Sequence, residues 1–452
     1  MVGSALSRWT MSYFAAALAF LLGAEVLMAL GYGFPATPLI APETLVLVHM
    51  VAVGWLSLLM LGALFQFVPV LVARPIHSQA LPLPALVSLV AGLVVLLLGF
   101  LQLAGRAGLQ LPLLPAGACL IGIGFALALW NLGRTILSAR PLPLPARFVA
   151  VGLACAAATV ALGTVFAFVL SGQTAVPHLL DIAANGVPLH AVAGIAGWLT
   201  FTAMGVSYRL LAMFMLAPEN DGARPRAVLY GGTASLALAI LGGTAAICAA
   251  SSVTAILVVA GLLGFCALAL YGGDVLHLYH ARKRRSLELN ARMAAVALMN
   301  LGAVVLLSIA LLAAGQFESQ IGAIVFLASF GWLTGLGLAK LYKIVSFLTW
   351  LECYGPVLGR TPTPRVQDLV VERRAAKWFW SYYATVWGGT ASLLASSPAG
   401  FRAAAALMFV ATTAIVIELL RTRFLTNVQS ELRRLHGMSQ PRLFTSHAPP
   451  IR

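Results

Sequence analysis

Charge is scarce in this chain. Asp, Glu, Lys and Arg together make up 9% of its 452 residues, and only 13 residues are acidic. A soluble protein of that length needs more polar surface to enclose its core. Runs such as Leu81 to Gly105 and Gly231 to Gly273, where no charge intervenes, exclude a large soluble helical protein. Cysteine is equally sparse. Cys119, Cys155, Cys248 and Cys266 fall within apolar segments and Cys353 just beyond one, with no CxxC pair among the five. Disulfides and thiolate metal sites are therefore not expected, and small buried apolar roles are. No cleavable signal is recognisable: Met1 to Arg8 is a short lead with no small-residue cleavage site after it, so the first apolar segment is expected to be retained.

What the chain does have is apolar length. Hydrophobic residues reach 61%, and at about 20 residues per crossing the hydropathy and the Pro/Gly breaks place twelve spans. They lie near residues 11–33, 43–72, 82–105, 111–138, 147–171, 186–216, 228–250, 253–276, 291–314, 319–350, 377–397 and 400–421. The fold class expected is an all-α polytopic membrane protein. Gly-Trp-Leu occurs three times, at Gly54-Trp55-Leu56, Gly197-Trp198-Leu199 and Gly331-Trp332-Leu333, in spans two, six and ten. Each copy is followed eight residues after its glycine by Gly62, Gly205 or Ala339, and then by Phe65-Gln66, Tyr208-Arg209 or Tyr342-Lys343. A pattern returning roughly every 140 residues is one unit used three times, each long enough for about four helices. The expected organisation is three quasi-repeats of four helices, 1–144, 145–285 and 286–425, followed by a cytoplasmic tail over 426–452 with a short helix and then disorder around Pro449 and Pro450.

The basic residues fix an orientation. Loops after even-numbered spans carry Arg74, Arg140, Arg147, Arg224, Arg226, the run Arg282-Lys283-Arg284-Arg285 and the stretch Arg360 to Lys377, whereas loops after odd-numbered spans carry only Arg106 and Arg402. Positive charge stays in the cytoplasm, which puts both termini there, in a bacterial-type inner (plasma) membrane. The net charge of +15 is thus mostly topogenic, and its dispersal over short loops argues against nucleic acid as a partner.

Polar groups within the lipid zone are where function should show, because each costs free energy to insert. In the outer half stand Glu25, His49, Asn185 and His190; in the inner half stand Gln66, Arg209, Lys340 and Lys343. His49 and His190 precede the glycine of their motifs by five and seven residues. An imidazole at that depth needs a hydrogen-bond partner or a metal. The two-residue offset rotates one ring by roughly 200° relative to the other, so they either flank one cofactor from two sides or serve different sites. Bonding to Glu25, Asn185 or backbone carbonyls is the competing structural role. Trp55 and Trp198 share a helical face with Gly62 and Gly205, which suits close helix packing and leaves aromatic cradling of a planar cofactor as the alternative. His277 and His280 have a chelating spacing but lie where the helix leaves the bilayer, as snorkelling residues do.

Twelve spans with cytoplasmic ends, three four-helix quasi-repeats and an inner set of the second, sixth and tenth helices together resemble the haem-copper oxidase subunit I superfamily, including its NnrS-type membrane haem-protein relatives linked to nitric oxide. The likeness covers the chain to about residue 425 and rests on organisation. In that superfamily the second helix carries a haem-ligating histidine, matched here by His49, and the sixth a copper-ligating one, matched in position by His190. The departures matter as much: spans seven and ten contain no histidine, and Gly194 stands where many oxidases have a tyrosine. The resemblance implies b-type haem, copper as a lesser candidate, and respiratory or assembly partners, without the binuclear centre that reduces oxygen. The competing class is a transporter or channel that uses a polar central cavity, with Glu25 and the outer histidines as its proton or cation site.

Overall fold

The computed structural model describes residues 9–106, 111–433, 435–439 and 441. The segment Met1 to Arg8, His447 and the prolines at 449 and 450 lie outside the described residues. Those described form helices and connecting turns, with no strand. Twelve long helices follow in order: α1 Thr10–Ala29, α2 Pro42–Val72, α3 Pro82–Leu103, α4 Leu113–Leu137, α5 Leu144–Leu170, α6 Val187–Met215, α7 Ala223–Cys248, α8 Thr254–His280, α9 Leu289–Ala313, α10 Ile321–Val357, α11 Glu372–Leu394 and α12 Pro398–Arg423. Eleven are long and apolar enough to cross a membrane. The remaining one, α11, has the length but opens on Glu372-Arg373-Arg374 and is amphipathic. The protein is an all-α, multi-pass membrane protein, and its helices match the hydropathy reading within a few residues at nearly every end.

Two compact units divide the chain. One comprises Met1–Val51 with Leu287–Arg452, the other Ala52–Ser286. In the first, α1 packs along α12, α11 along α12, and α9 along α10. In the second, α3 pairs with α4, α5 with α6, and α7 with α8. The α3–α4 hairpin shows why small residues recur. Gly92 and Gly99 face α4, Gly117 and Gly124 face α3, and a Cβ built on Gly117 would lie 2.6 Å from the Leu96 backbone nitrogen. Without side chains there, the two backbones approach closely enough for dispersion to hold them in lipid.

The structure adds a feature that hydropathy does not carry. Each Gly-Trp-Leu copy lies inside a π-helical run: Met50–Ser57 in α2, Val192–Phe201 in α6 and Leu327–Thr334 in α10. A further short run, Leu238–Gly242, lies in α7. The π-helix is rare, and where one enters an α-helix the change of hydrogen-bond step leaves carbonyls out of register. Side chains take them up. Ser57 Oγ donates to Ala52 O at 2.7 Å, Tyr382 Oη to Phe330 O at 2.8 Å and Asn300 Nδ2 to Gly331 O at 3.2 Å. Trp387 Nε1 in turn donates to Asn300 Oδ1 at 3.0 Å. In the second unit the two motif helices also end alike, with Ala73 and Leu216 at φ 50° and 52° as left-handed caps. Each stands nineteen residues after its motif glycine.

Candidate functional site

His49 is the last residue of the α-helical opening of α2, immediately before its π-helical run, and His190 stands two residues before the run in α6. Both rings are half-buried. His49 Nδ1 lies 2.8 Å from Leu45 O, one turn back on its own helix. His190 Nδ1 lies 3.0 Å from Thr159 O on α5, where Gly163 and the edge of Phe166 hold the ring. A carbonyl oxygen only accepts, so Nδ1 carries the hydrogen in both rings. The lone pair of each neutral imidazole is then on Nε2, the nitrogen through which such rings ligate iron or another metal.

The other candidate residues have different company. Glu25 is fully buried on α1 and accepts a 2.8 Å hydrogen bond at Oε1 from Thr412 Oγ1 of α12. Asn185 ends a short helix, Pro177–Asn185, ahead of α6; it is exposed, and its Nδ2 donates to Asp181 O at 3.2 Å. Trp55 and Trp198 are buried. Trp198 Nε1 donates to Ser57 Oγ at 3.0 Å, and the indole meets Phe125 edge-on at 6.2 Å. The motif glycines are contact points as well: Gly197 faces Cys155 of α5, Gly205 faces Phe148 of the same helix, and Gly331 faces Asn300 of α9. In these two units the Gly-Trp-Leu pattern serves close helix packing.

Toward the basic-loop end, the motif cations are paired with carboxylates. Arg209 forms an ion pair with Glu219, and Lys343 lies 2.7 Å from Glu288. Hydropathy gave no hint of the buried Asp274 cluster in the second unit. Tyr208 Oη donates to Asp274 Oδ2 at 2.8 Å, Asn220 Nδ2 to Oδ1 at 3.2 Å, and Arg224 approaches to 3.6 Å. His280 Nδ1 bonds Leu276 O at 2.7 Å at the end of α8. In the first unit Glu418 is 2% exposed and takes Arg374 Nε and Nη2, each at 2.7 Å, together with Arg421 Nη1 at 2.8 Å. Among the described residues no three His, Cys, Asp or Glu side chains gather as a metal-ligand set. Comparison with protein-family models and with curated protein sequences finds no match to this chain.

Proposed function

We propose that this protein is a multi-pass haem protein of a bacterial-type inner membrane, built on a haem-copper-oxidase-like helix order without the binuclear centre. His49 would hold the haem iron through its imidazole, with His190 a second candidate ligand. The observation that carries the reading is the fixed ring: at the junction of α-helical and π-helical backbone, a carbonyl accepts the Nδ1 hydrogen of His49, which sets the tautomer whose lone pair is on Nε2. His190 also holds its Nδ1 hydrogen on a carbonyl, but that carbonyl is Thr159 O of the neighbouring α5. Haem needs one or two imidazoles, whereas a closed tetrahedral metal site needs four donors. Two histidines are enough for haem, which makes haem the first candidate and copper the lesser one. The absence of a CxxC pair agrees with a non-covalent, b-type haem. When bound, haem supplies a redox couple and a position for a gas ligand such as nitric oxide. The protein's residues orient the imidazole and seat it among apolar helices, in a role that is redox, nitric oxide handling or support of a respiratory complex.

The test is the visible spectrum of protein purified from cells with ample haem. A Soret band with reduced-state bands of b type is expected, and a colourless protein overturns the reading. Orientation is checked separately: a reporter fused after residue 285 should behave as cytoplasmic and one near residue 316 as exported.

A further inference from the structure

The first unit holds two buried carboxyls in very different company. Glu418 has two arginines, one of them bidentate, which is what an ionised carboxylate needs in a low-dielectric interior. Glu25, with none of its surface exposed, has the Thr412 hydroxyl on Oε1, while Oε2 is buried with no hydrogen-bond partner among the described residues. A carboxylate held by one hydroxyl would leave a buried charge uncompensated.

We propose that Glu25 is a proton-binding site in the bundle of α1, α11 and α12, with Thr412 orienting the carboxyl and the proton carried on Oε2. The proton does for Glu25 what Arg374 and Arg421 do for Glu418. The neighbouring elements bring few rivals for it. α11 presents Tyr382, which lies within electrostatic reach of Glu25 and whose hydroxyl is engaged by Phe330 O and Thr334 in the π-helical run of α10. α12 presents Thr412. Its Arg402 reaches instead to Ala29 O, at the end of α1. α2 meets α1 where Met50 faces Gly23, and the titratable residue on that turn is His49. Glu25 thus joins α1 to α12 through Thr412, beside the tyrosine that braces the third motif copy. Gain or loss of its proton changes the charge there by one unit. The site does not depend on haem.

Infrared spectroscopy of the purified full-length protein at neutral pH, with and without exchange into deuterated water, reads this directly. The wild type should show the carbonyl band of a protonated carboxylic acid that disappears in Glu25→Gln, a variant that keeps an acceptor for Thr412. Thr412→Val should keep the band and move it to higher frequency, because the carbonyl loses its donor. The proposal is overturned if Glu25→Gln leaves the protonated-acid region unchanged. Should Glu25→Gln fail to insert, the band in Thr412→Val decides: a shift supports the site, and an unshifted or absent band overturns it.

Discussion

Trp198 Nε1 of α6 donates to Ser57 Oγ of α2 at 3.0 Å, joining the tryptophan of the second Gly-Trp-Leu copy to the residue that follows the first. Ser57 Oγ spends its own hydrogen on Ala52 O, five residues back, a carbonyl reached because the backbone there is π-helical. One hydroxyl therefore repairs the backbone of its own helix and receives the neighbouring one.

That bond should be measurable as coupling. Trp198→Phe and Ser57→Ala each remove one partner, and hydrogen bonds between helices within a bilayer average about 0.6 kcal/mol, rarely above 1.7. A double-mutant cycle on thermal unfolding in detergent is expected to give a coupling of about 1 kcal/mol. A value near zero would mean that the indole is held by packing alone.

Two glycines on α4 should respond in opposite senses to alanine. A Cβ at Gly117 meets the Leu96 backbone at 2.6 Å, whereas nothing lies within 4 Å of one at Gly133. Gly117→Ala should lower the unfolding midpoint, although alanine is the better helix former. Gly133→Ala should leave it unchanged or raise it by up to about 1 kcal/mol of stability. Equal behaviour would show that the α3–α4 approach is looser than described.

Burial decides the worth of ion pairs. Arg374→Ala removes a bidentate partner from buried Glu418 but leaves Arg421, so a loss of about 2 to 3 kcal/mol is expected. Arg365→Ala at the exposed Arg365–Asp368 pair should cost less than about 1 kcal/mol. Unfolding midpoints of the two variants, taken side by side, check the ordering.

Most helices were legible because lipid imposes length and apolarity on each crossing, and Pro or Gly marks most ends. α11 departs from that rule: hydropathy and the Pro/Gly breaks placed a span at 377–397, but the helix opens on Glu372-Arg373-Arg374 and is not among the eleven apolar enough to cross. The three Gly-Trp-Leu copies were visible, but their π-helical backbone was not, since no residue type announces a wider turn. A signal that could have been read is the hydroxyl after each leucine, at Ser57, Thr200 and Thr334. His49, His190 and Glu25 stood out as polar groups in apolar runs. Their partners did not. Thr159 lies 31 residues from His190, and Thr412 lies 387 from Glu25, so only the folded chain brings them together. The Arg374–Glu418 clamp and the Asp274 cluster were hidden in the same way, as charges near helix ends that read as topogenic or interfacial.

The measurement that bears most directly on the haem reading is chemical rescue at His49. Purified His49→Gly should lose the Soret band while keeping the helical content of the wild type, and added imidazole should restore the band by filling the space of the missing ring. His190→Ala examined in parallel should lose the same band only if that ring ligates the same iron. A His49→Gly protein that retains the wild-type spectrum without imidazole would contradict ligation by His49.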